Sequence, residues 1–435
     1  MKQFFKKIIV TIITLEARVV LWKYKPKIIT VTGNVGKTTT KDAIYAAFST
    51  THHVRRSEKS FNSEIGIPLT ILGCENAWHN PFRWIENILK GLFVIVIQIR
   101  YPEWLILEIG ADRPGNIKNI TSWVRPDVSV ITRFAKVPVH VEYFSSREEL
   151  IAEKAYAVKR CKPRGVVVLN ADDADSLAMK SITSCHVVTY SLNGAADIVG
   201  SHEQIYYEKD DRGIEVPAGM TFKVDFQGKS VPVVRKAVLG LQHVYPTLAA
   251  MAVAVSQKIN IVSASEALSH DTTPPGRMKL LGGNKRTSII DDTYNSSPVA
   301  VHEALETLRL IKTKGRKIAV LGDMLELGKH SIEEHKHIGK LVAGITDILV
   351  TVGIRARYIA EGALNFEMDE AKIFQFDESR EAGRFLDPLI KEGDIILVKG
   401  SQSIRMERVV EEIMAEPLKK EVLLVRQDAE WQKKA

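Results

Sequence analysis

Residues 28–49, IITVTGNVGKTTTKDAIYAAFS, constrain the fold more than any other stretch. A β-branched run ends at Thr32, a turn carrying Gly33 and Gly36 follows, and Lys37 opens a helix-like segment. Strand, glycine turn and helix in that order form the first step of a parallel α/β sheet. They also aim the N–H groups of a helix N-terminus at an anion. In that arrangement Lys37 would contact the terminal phosphates of a nucleotide, and the Thr38 hydroxyl would bind Mg²⁺. Two residues separate the glycines, fewer than in the generic phosphate loop.

The α/β texture continues down the chain. Ile28–Thr32, Trp104–Ile109, Asp127–Ile131, Gly165–Leu169 and His186–Tyr190 are short apolar runs closed by turn residues, the pattern of buried parallel strands. Residues 191–235 alternate instead, as in MTFKVDFQGKSVPVV, and predict antiparallel strands with a turn at Gln227–Gly228. LQHVYPTLAAMAVAVSQ predicts a helix with Pro246 near its start. The Pro-rich link HDTTPPG then leads into a second α/β series, with strands at Thr287–Asp291, Lys317–Leu321, Asp347–Val352 and Asp394–Val398. In that series Ser296 or Ser297 caps a helix opened by Pro298, whose apolar stripe is Val301, Leu305, Leu308 and Ile311. The expected fold class is α/β: a central phosphate-loop domain with a mainly parallel sheet, then a C-terminal Rossmann-like α/β domain. The boundaries are an amphipathic helix over 1–27, a central domain over 28–273, a C-terminal domain over 274–420, and a polar tail over 421–435 that is expected to fray.

With 435 residues, 45% hydrophobic and 26% charged, the chain has an ordinary globular composition with room for two or three domains. The net charge is +8, and charged residues are spread along the chain. That suits phosphorylated small molecules or an anionic surface and gives no particular sign of nucleic acid. Cys74, Cys161 and Cys185 are far apart and odd in number, which argues against a disulfide framework or a zinc site and for a reducing cytosol. Near the N-terminus the uncharged run Ile8–Leu15 is too short to span a bilayer. Export is rejected because the phosphate loop follows closely. Residues 1–25 and 82–100 are more simply read as helices packed on a domain, with peripheral helices at the inner membrane face as the open alternative.

Other candidate residues sit at strand ends, where ligands gather in open parallel sheets. Glu108, in LEIGADRPGNI, could complete a Mg²⁺ shell, although strand-end acids often only cap a helix. His140, in PVHVEYF, and Lys154, fourteen residues on, are each more simply read as structural or solvated. Asp291, Asp292, Asp323, Glu326, Lys399, Ser401, Arg405 and Glu407 fall after three strands of the second series and predict one polar rim. Ordinary loop polarity gives the same pattern.

Taken together, TGNVGKTTTKDAI, FNSEIGIPLTIL, LEIGADRPGNI, VHVEYF, the IAEK lysine, VVLNADD, PPGRMKLL, IDDTYNSSP, LGDMLELG and LVKGSQSIRMERVV occur in an order that resembles the Mur ligases over residues 28–415. The short glycine spacing matches that family's form of the loop. The resemblance implies an ATP-dependent amide ligase: a peptide carboxylate is phosphorylated, and an amine then displaces phosphate. It implies ATP contacts at Gly33, Asn34, Val35, Gly36, Lys37, Thr38 and Thr39, with Arg277 and Asp292 from the C-terminal domain. Two Mg²⁺ ions are implied, with ligands Thr38, Glu108, His140 and a carbamylated Lys154. Lys37, Glu108, His140 and Lys154 form the implied catalytic set. Asn62, Asp323, Lys399, Ser401 and Arg405 are the implied contacts to a nucleotide-sugar peptide and a dipeptide. The expected protein is cytoplasmic and monomeric.

Three departures accompany the resemblance. The family's N-terminal domain for the nucleotide-sugar end is replaced by about 27 basic amphipathic residues. LQHVYPTLAA has His243 and Pro246 where the family has asparagines. RFAKVPVH is longer than the family form before the histidine. Two alternatives stay open at this level: the same chemistry on a different carboxylate, and a non-catalytic nucleotide-binding scaffold at the membrane.

Overall fold

The structure, a computed structural model, describes residues 2–57, 61–77, 80–134, 143–270 and 273–432. The chain divides into two compact units, Met1–Ser201 with Lys223–Val233 and Tyr245–Asp271, and His202–Phe222 with Val234–Val244 and Thr272–Ala435.

In the first unit, β1 (Lys27–Thr32), β2 (Val54–Arg56), β3 (Trp104–Glu108), β4 (Val128–Ile131), β5 (Val166–Asn170) and β6 (His186–Ser191) lie in the order β2-β3-β1-β4-β5-β6, with all neighbours parallel. Connections from β1 run to one side and from β3 to the other. The carboxyl end of β1 is therefore a topological switch point, where such sheets bind ligands. β1 and β3 are almost wholly buried because helices cover the sheet. These are α1 (Lys2–Tyr24), α2 (Lys37–Ser49), α3 (Gly66–Leu72), α4 (Pro81–Val96), α5 (Asn116–Thr121) and α6 (Arg147–Lys154). Ile13, Ala17 and Val20 of α1 pack with Ile67, Ile71 and Val94 in the core of this unit. The expectation that the N-terminal segment is helical thus holds, with one face packed on the domain.

The sheet order continues through β7 (Ile198–Lys209), β8 (Glu215–Phe226) and β9 (Lys229–Lys236), whose residues are divided between the units. A two-residue link joins β8 to β9, so they form an antiparallel hairpin. Gln227 (φ 49°) and Gly228 (φ 75°) supply the left-handed pair that such a turn needs.

The second unit holds β10 (Lys279–Gly283), β11 (Thr287–Asp292), β12 (Lys317–Gly322), β13 (Ile348–Val352), β14 (Ile373–Phe376) and β15 (Ile395–Lys399), in the order β10-β11-β15-β12-β13-β14. Only the β10–β11 pair is antiparallel. Ser297 accepts from Ala300 N and caps the helix Pro298–Leu310, which buries Val301, Leu305 and Leu308 as its stripe predicts.

Part of the polar tail is tied to the second unit. Arg426 is buried and donates to the carbonyls of Thr293 (2.5 Å) and Tyr294 (3.0 Å) and to Glu407 (2.6 Å). A guanidinium offers five donors, and three acceptors inside the domain outweigh the polar composition of the segment.

Candidate active site

β1 delivers the chain into the glycine turn. Gly33 has φ 140°, and a Cβ there would sit 2.0 Å from Thr132 Oγ1, so no side chain fits. Gly36 (φ 82°) caps α2 in the left-handed region. Asn34 N and Val35 N both donate to the Arg133 carbonyl (2.8 and 3.1 Å), which ties the turn to the segment after β4. Thr40 N is the first in α2 to bond back, to Gly36 O at 2.9 Å. The anion-facing amides are therefore those of Gly36, Lys37, Thr38 and Thr39, the first turn of the helix. Asn34 and Val35 shape the turn through their backbone, and the buried Asn34 Oδ1 has no hydrogen-bond partner among the described residues.

β3 runs parallel to β1 with Val31 opposite Glu108. This register brings Thr38 Oγ1 to donate to Glu108 Oε2 at 2.8 Å. Asn62 Nδ2 donates to Glu108 Oε1 at 3.3 Å, and Glu108 N donates to Ser57 Oγ at 3.3 Å. A hydroxyl and a carboxylate side by side are hard oxygen donors, the kind that suit Mg²⁺. Lys37 Nζ reaches back to Asn34 O at 3.2 Å, on the phosphate side of the turn.

Lys154 closes this group from α6. It is 3% exposed, although REELIAEK reads as a solvated helix. Burial and, after it, the nearby Lys37 cation lower its pKa from 10.5 to about 7, opposed by Asp112, Glu108 and Glu153. Glu153 is buried as well and accepts from Lys118 N at 3.0 Å, which pins α6 onto α5. Glu108, Lys37, Thr38, Asn62 and Lys154 thus converge in one unit. His140 lies outside the described residues.

Three features of this unit go beyond the residues named from the sequence. Buried Lys41 donates to Ser57 O (2.7 Å) and pairs with Asp42 (3.2 Å), which Arg56 also holds (2.9 Å). This fixes the segment whose Ser57 hydroxyl supports Glu108. Asp112 acts on Lys154 from the turn after β3. Asp172, in the VVLNADD motif, takes Ser191 Oγ (2.6 Å), Leu192 N (2.6 Å) and Tyr245 OH (3.0 Å), ordering the turn after β6.

In the second unit the predicted rim forms at the carboxyl ends of β11, β12 and β15. Lys399 pairs with Asp292 at 2.6 Å, opposite it in register, and donates to Asn295 O at 2.8 Å. Asp292 also accepts from Met278 N at 3.2 Å, holding the strand beside Arg277, whose guanidinium lies 4.1 Å from the Tyr294 ring centre. Asp323 accepts from Ala356 N at 2.7 Å, and Ser401 Oγ accepts from Leu325 N at 2.9 Å. Arg405 is in the left-handed region (φ 59°) and is held by Glu407 at 2.5 Å. His243 is buried, and its Nε2 lies 2.8 Å from the Arg277 carbonyl, which makes Nε2 the protonated nitrogen. Burial first, and then the Arg235 cation, lower its pKa to about 3, so the ring is neutral.

Comparison with known proteins agrees with this geometry. The family model of the Mur ligase middle domain matches residues 94–254, and that of the Mur ligase glutamate ligase domain matches residues 276–402. The chain is 29% identical over 404 residues to UDP-N-acetylmuramoyl-tripeptide–D-alanyl-D-alanine ligase of Bacillus subtilis (strain 168), covering 92% of this chain and 79% of the relative. It is 25% identical over 390 residues to the ligase of the same name from Escherichia coli (strain K12), covering 88% and 76%. Among solved structures, the MurF ligase from Thermotoga maritima in complex with ADP matches with a TM-score of 0.75 at 25% identity, over 95% of this chain and 84% of that one. Two models of one family thus match in succession on the two α/β series, and the chain belongs to the Mur ligases.

Proposed function

We propose that this chain joins D-alanyl-D-alanine to the peptide carboxylate of UDP-N-acetylmuramoyl-tripeptide, a step of peptidoglycan precursor synthesis. Membership of the family makes it an ATP-dependent ligase that forms a carbon–nitrogen bond. The observation that carries the reading is the Thr38–Glu108 contact (2.8 Å) beside the phosphate turn, with buried Lys154 in the same electrostatic field.

The chemistry follows from these groups. A carboxylate oxygen attacks the γ-phosphorus of ATP, the bond to the β-phosphate oxygen breaks, and ADP leaves. The amine then attacks the acyl carbon, loses a proton and expels phosphate. Lys37 and the first-turn amides of α2 hold the transferring phosphoryl group and spread its charge. Thr38 and Glu108 suit one Mg²⁺, and His140 with a carbamate on Lys154 is assigned to a second. Bound Mg²⁺ supplies charge neutralisation as two anions approach. An amine with a pKa near 7 is largely neutral at cellular pH. It can therefore attack CO₂, forming an N–C bond with loss of a proton and turning a cation into an anion. Asn62 positions Glu108 and is assigned to the peptide substrate.

We assign residues 28–273 to the ATP-binding part and 274–420 to the amine side. Arg277 and Asp292 would reach ATP, while Asp323, Lys399, Ser401 and Arg405 would receive the dipeptide. The enzyme is placed in the cytoplasm as a monomer, with residues 1–25 and 82–100 as its contact with the inner membrane face. The test is phosphate release by purified protein given ATP, Mg²⁺, UDP-MurNAc-tripeptide and D-Ala-D-Ala. Release is expected only when both co-substrates are present, and release that ignores either one overturns the reading. A panel of other carboxylates identifies the acceptor if the tripeptide fails.

A further inference from the structure

The helix α4 is apolar on two sides. Asn87, Gly91 and Val94 are buried, and Trp84, Ile88 and Ile95 pack partly buried against the core. Its outward positions are Phe82, Ile85, Leu89, Leu92, Phe93 and Val96, all exposed, with Phe82 at 80% and Val96 at 75%. Their spacing places them along one stripe of the helix. α1, packed beside it, adds Ile8, Leu15, Val19 and Trp22 on its own outer side, with Trp22 77% exposed. Exposed apolar area of this extent needs an explanation in a protein whose core is otherwise well covered.

The two helices form a fixed platform. Lys23 Nζ donates to the carbonyls of Ile95 (2.8 Å) and Ile97 (3.0 Å) at the end of α4. Tyr24 OH lies 3.0 Å from Val94 O, and its ring stacks on Tyr101 at 4.6 Å. Gly91 lets α1 come close enough that a Cβ there would lie 2.2 Å from Glu16 Oε2.

Charge identifies what covers the platform. Residues 1–27 and 80–100 contain ten basic and two acidic side chains. The rest of the chain has fifty of each, so the whole +8 excess lies in these two segments. Charged residues are spread along the sequence, but their imbalance is not. Arg83, Lys90 and Arg100 flank the α4 stripe, Lys7 and Arg18 lie along α1, and Lys25 follows its end, all exposed. An apolar ridge with a basic border is the form of a helix that lies in a bilayer interface among anionic headgroups. A second copy of the chain would bring the same positive charge against itself. No helix among the described residues is long and apolar enough to cross a membrane.

We propose that the outer face of α1 and α4 docks on an anionic lipid bilayer, burying the α4 stripe at the acyl boundary with the basic residues at headgroup level. The docking does not depend on the ligase reading, and its test involves no turnover. The full chain is mixed with vesicles of phosphatidylglycerol and phosphatidylcholine, or of phosphatidylcholine alone, and floated on a density gradient. It should float with the mixed vesicles, and binding should fall by about fivefold for each basic residue whose contact is lost in neutral vesicles or high salt. The double variant Leu89→Glu/Phe93→Glu should stay at the bottom while keeping the wild-type thermal midpoint and ATP binding, because both sites are exposed. Flotation of neither sample, or equal flotation of the variant, overturns the proposal. So does a dimer by light scattering that the variant dissolves, since a second copy would then be the occupant.

Discussion

Replacing His243 with glutamine should remove a specific part of the chain's acid sensitivity. The ring is buried, and Nε2 donates to the Arg277 carbonyl at 2.8 Å. Its pKa is lowered from 6.5 to about 3, first by burial. A depressed histidine leaves stability intact above the unfolded-state value of 6.5 and withdraws it as pH falls toward 3, because only the unfolded chain takes up the proton readily. Each tenfold difference in proton affinity between the folded and unfolded chain is worth about 1.4 kcal/mol, so moving from pH 7 to pH 4 should cost the wild type about 3 kcal/mol through this one group. Glutamine can still donate an amide N–H to the same carbonyl but does not titrate in this range. The experiment is urea denaturation of both proteins at the two pH values. All other acid effects cancel in the difference, and the variant should lose about 3 kcal/mol less than the wild type. Proton NMR of the wild type should show a histidine ring that does not titrate above pH 4. Equal losses in the two proteins would refute the assignment of a neutral, buried donor.

Further perturbations test the phosphate turn and its surroundings. Lys37→Ala should abolish turnover, since no other side chain of the turn brings positive charge to the transferring phosphoryl group; retained activity would move the phosphates elsewhere. Gly33→Ala forces a Cβ to within 2.0 Å of Thr132 Oγ1, and nucleotide binding measured by calorimetry should fall at least tenfold, about 1.4 kcal/mol. At pH 7.5 a pKa near 7 leaves roughly three-quarters of Lys154 neutral, against about a thousandth of an ordinary lysine. ¹³C-bicarbonate should therefore give a carbamate resonance that is absent from Lys154→Ala, and a small carboxylic acid should partly restore that variant's activity. Glu16 is buried with no hydrogen-bond partner for its carboxylate among the described residues, and burial raises its pKa to about 7. The stability tied to its neutral form is complete below pH 4.5 and lost as pH rises through 7. Glu16→Gln should thus raise the thermal midpoint at pH 8 and leave it unchanged at pH 4.

What the sequence made legible, and what it hid, divides along the range of the interactions. The phosphate turn was legible because its requirements are local: a β-branched strand, two glycines in left-handed or crowded positions, and a helix starting at Lys37. The strand-end positions of Glu108 and Asp292 were legible for the same reason. Their partners were not. Thr38 meets Glu108 only because β3 lies beside β1 in a register that no local pattern encodes. Lys154 looks solvated because its helix is charged on most sides, yet it is buried in the folded unit, where Glu153 beside it ties α6 to α5. α4 shows the limit most clearly. Periodicity finds an apolar stripe on a helix and by itself points that stripe at the core. Here Trp84, Ile88 and Ile95 pack on the core, beside Gly91 opposite α1, an asparagine bonded to the Glu75 carbonyl at 2.8 Å and the seat of Lys23 on the helix end. The second apolar stripe then faces outward. Amphipathicity fixes that a helix has two sides, but the groups that can be satisfied against the neighbouring helix decide which side is in. The lipid-facing role of residues 82–100 therefore depends on α1 being in place against α4, a contact between segments about 70 residues apart.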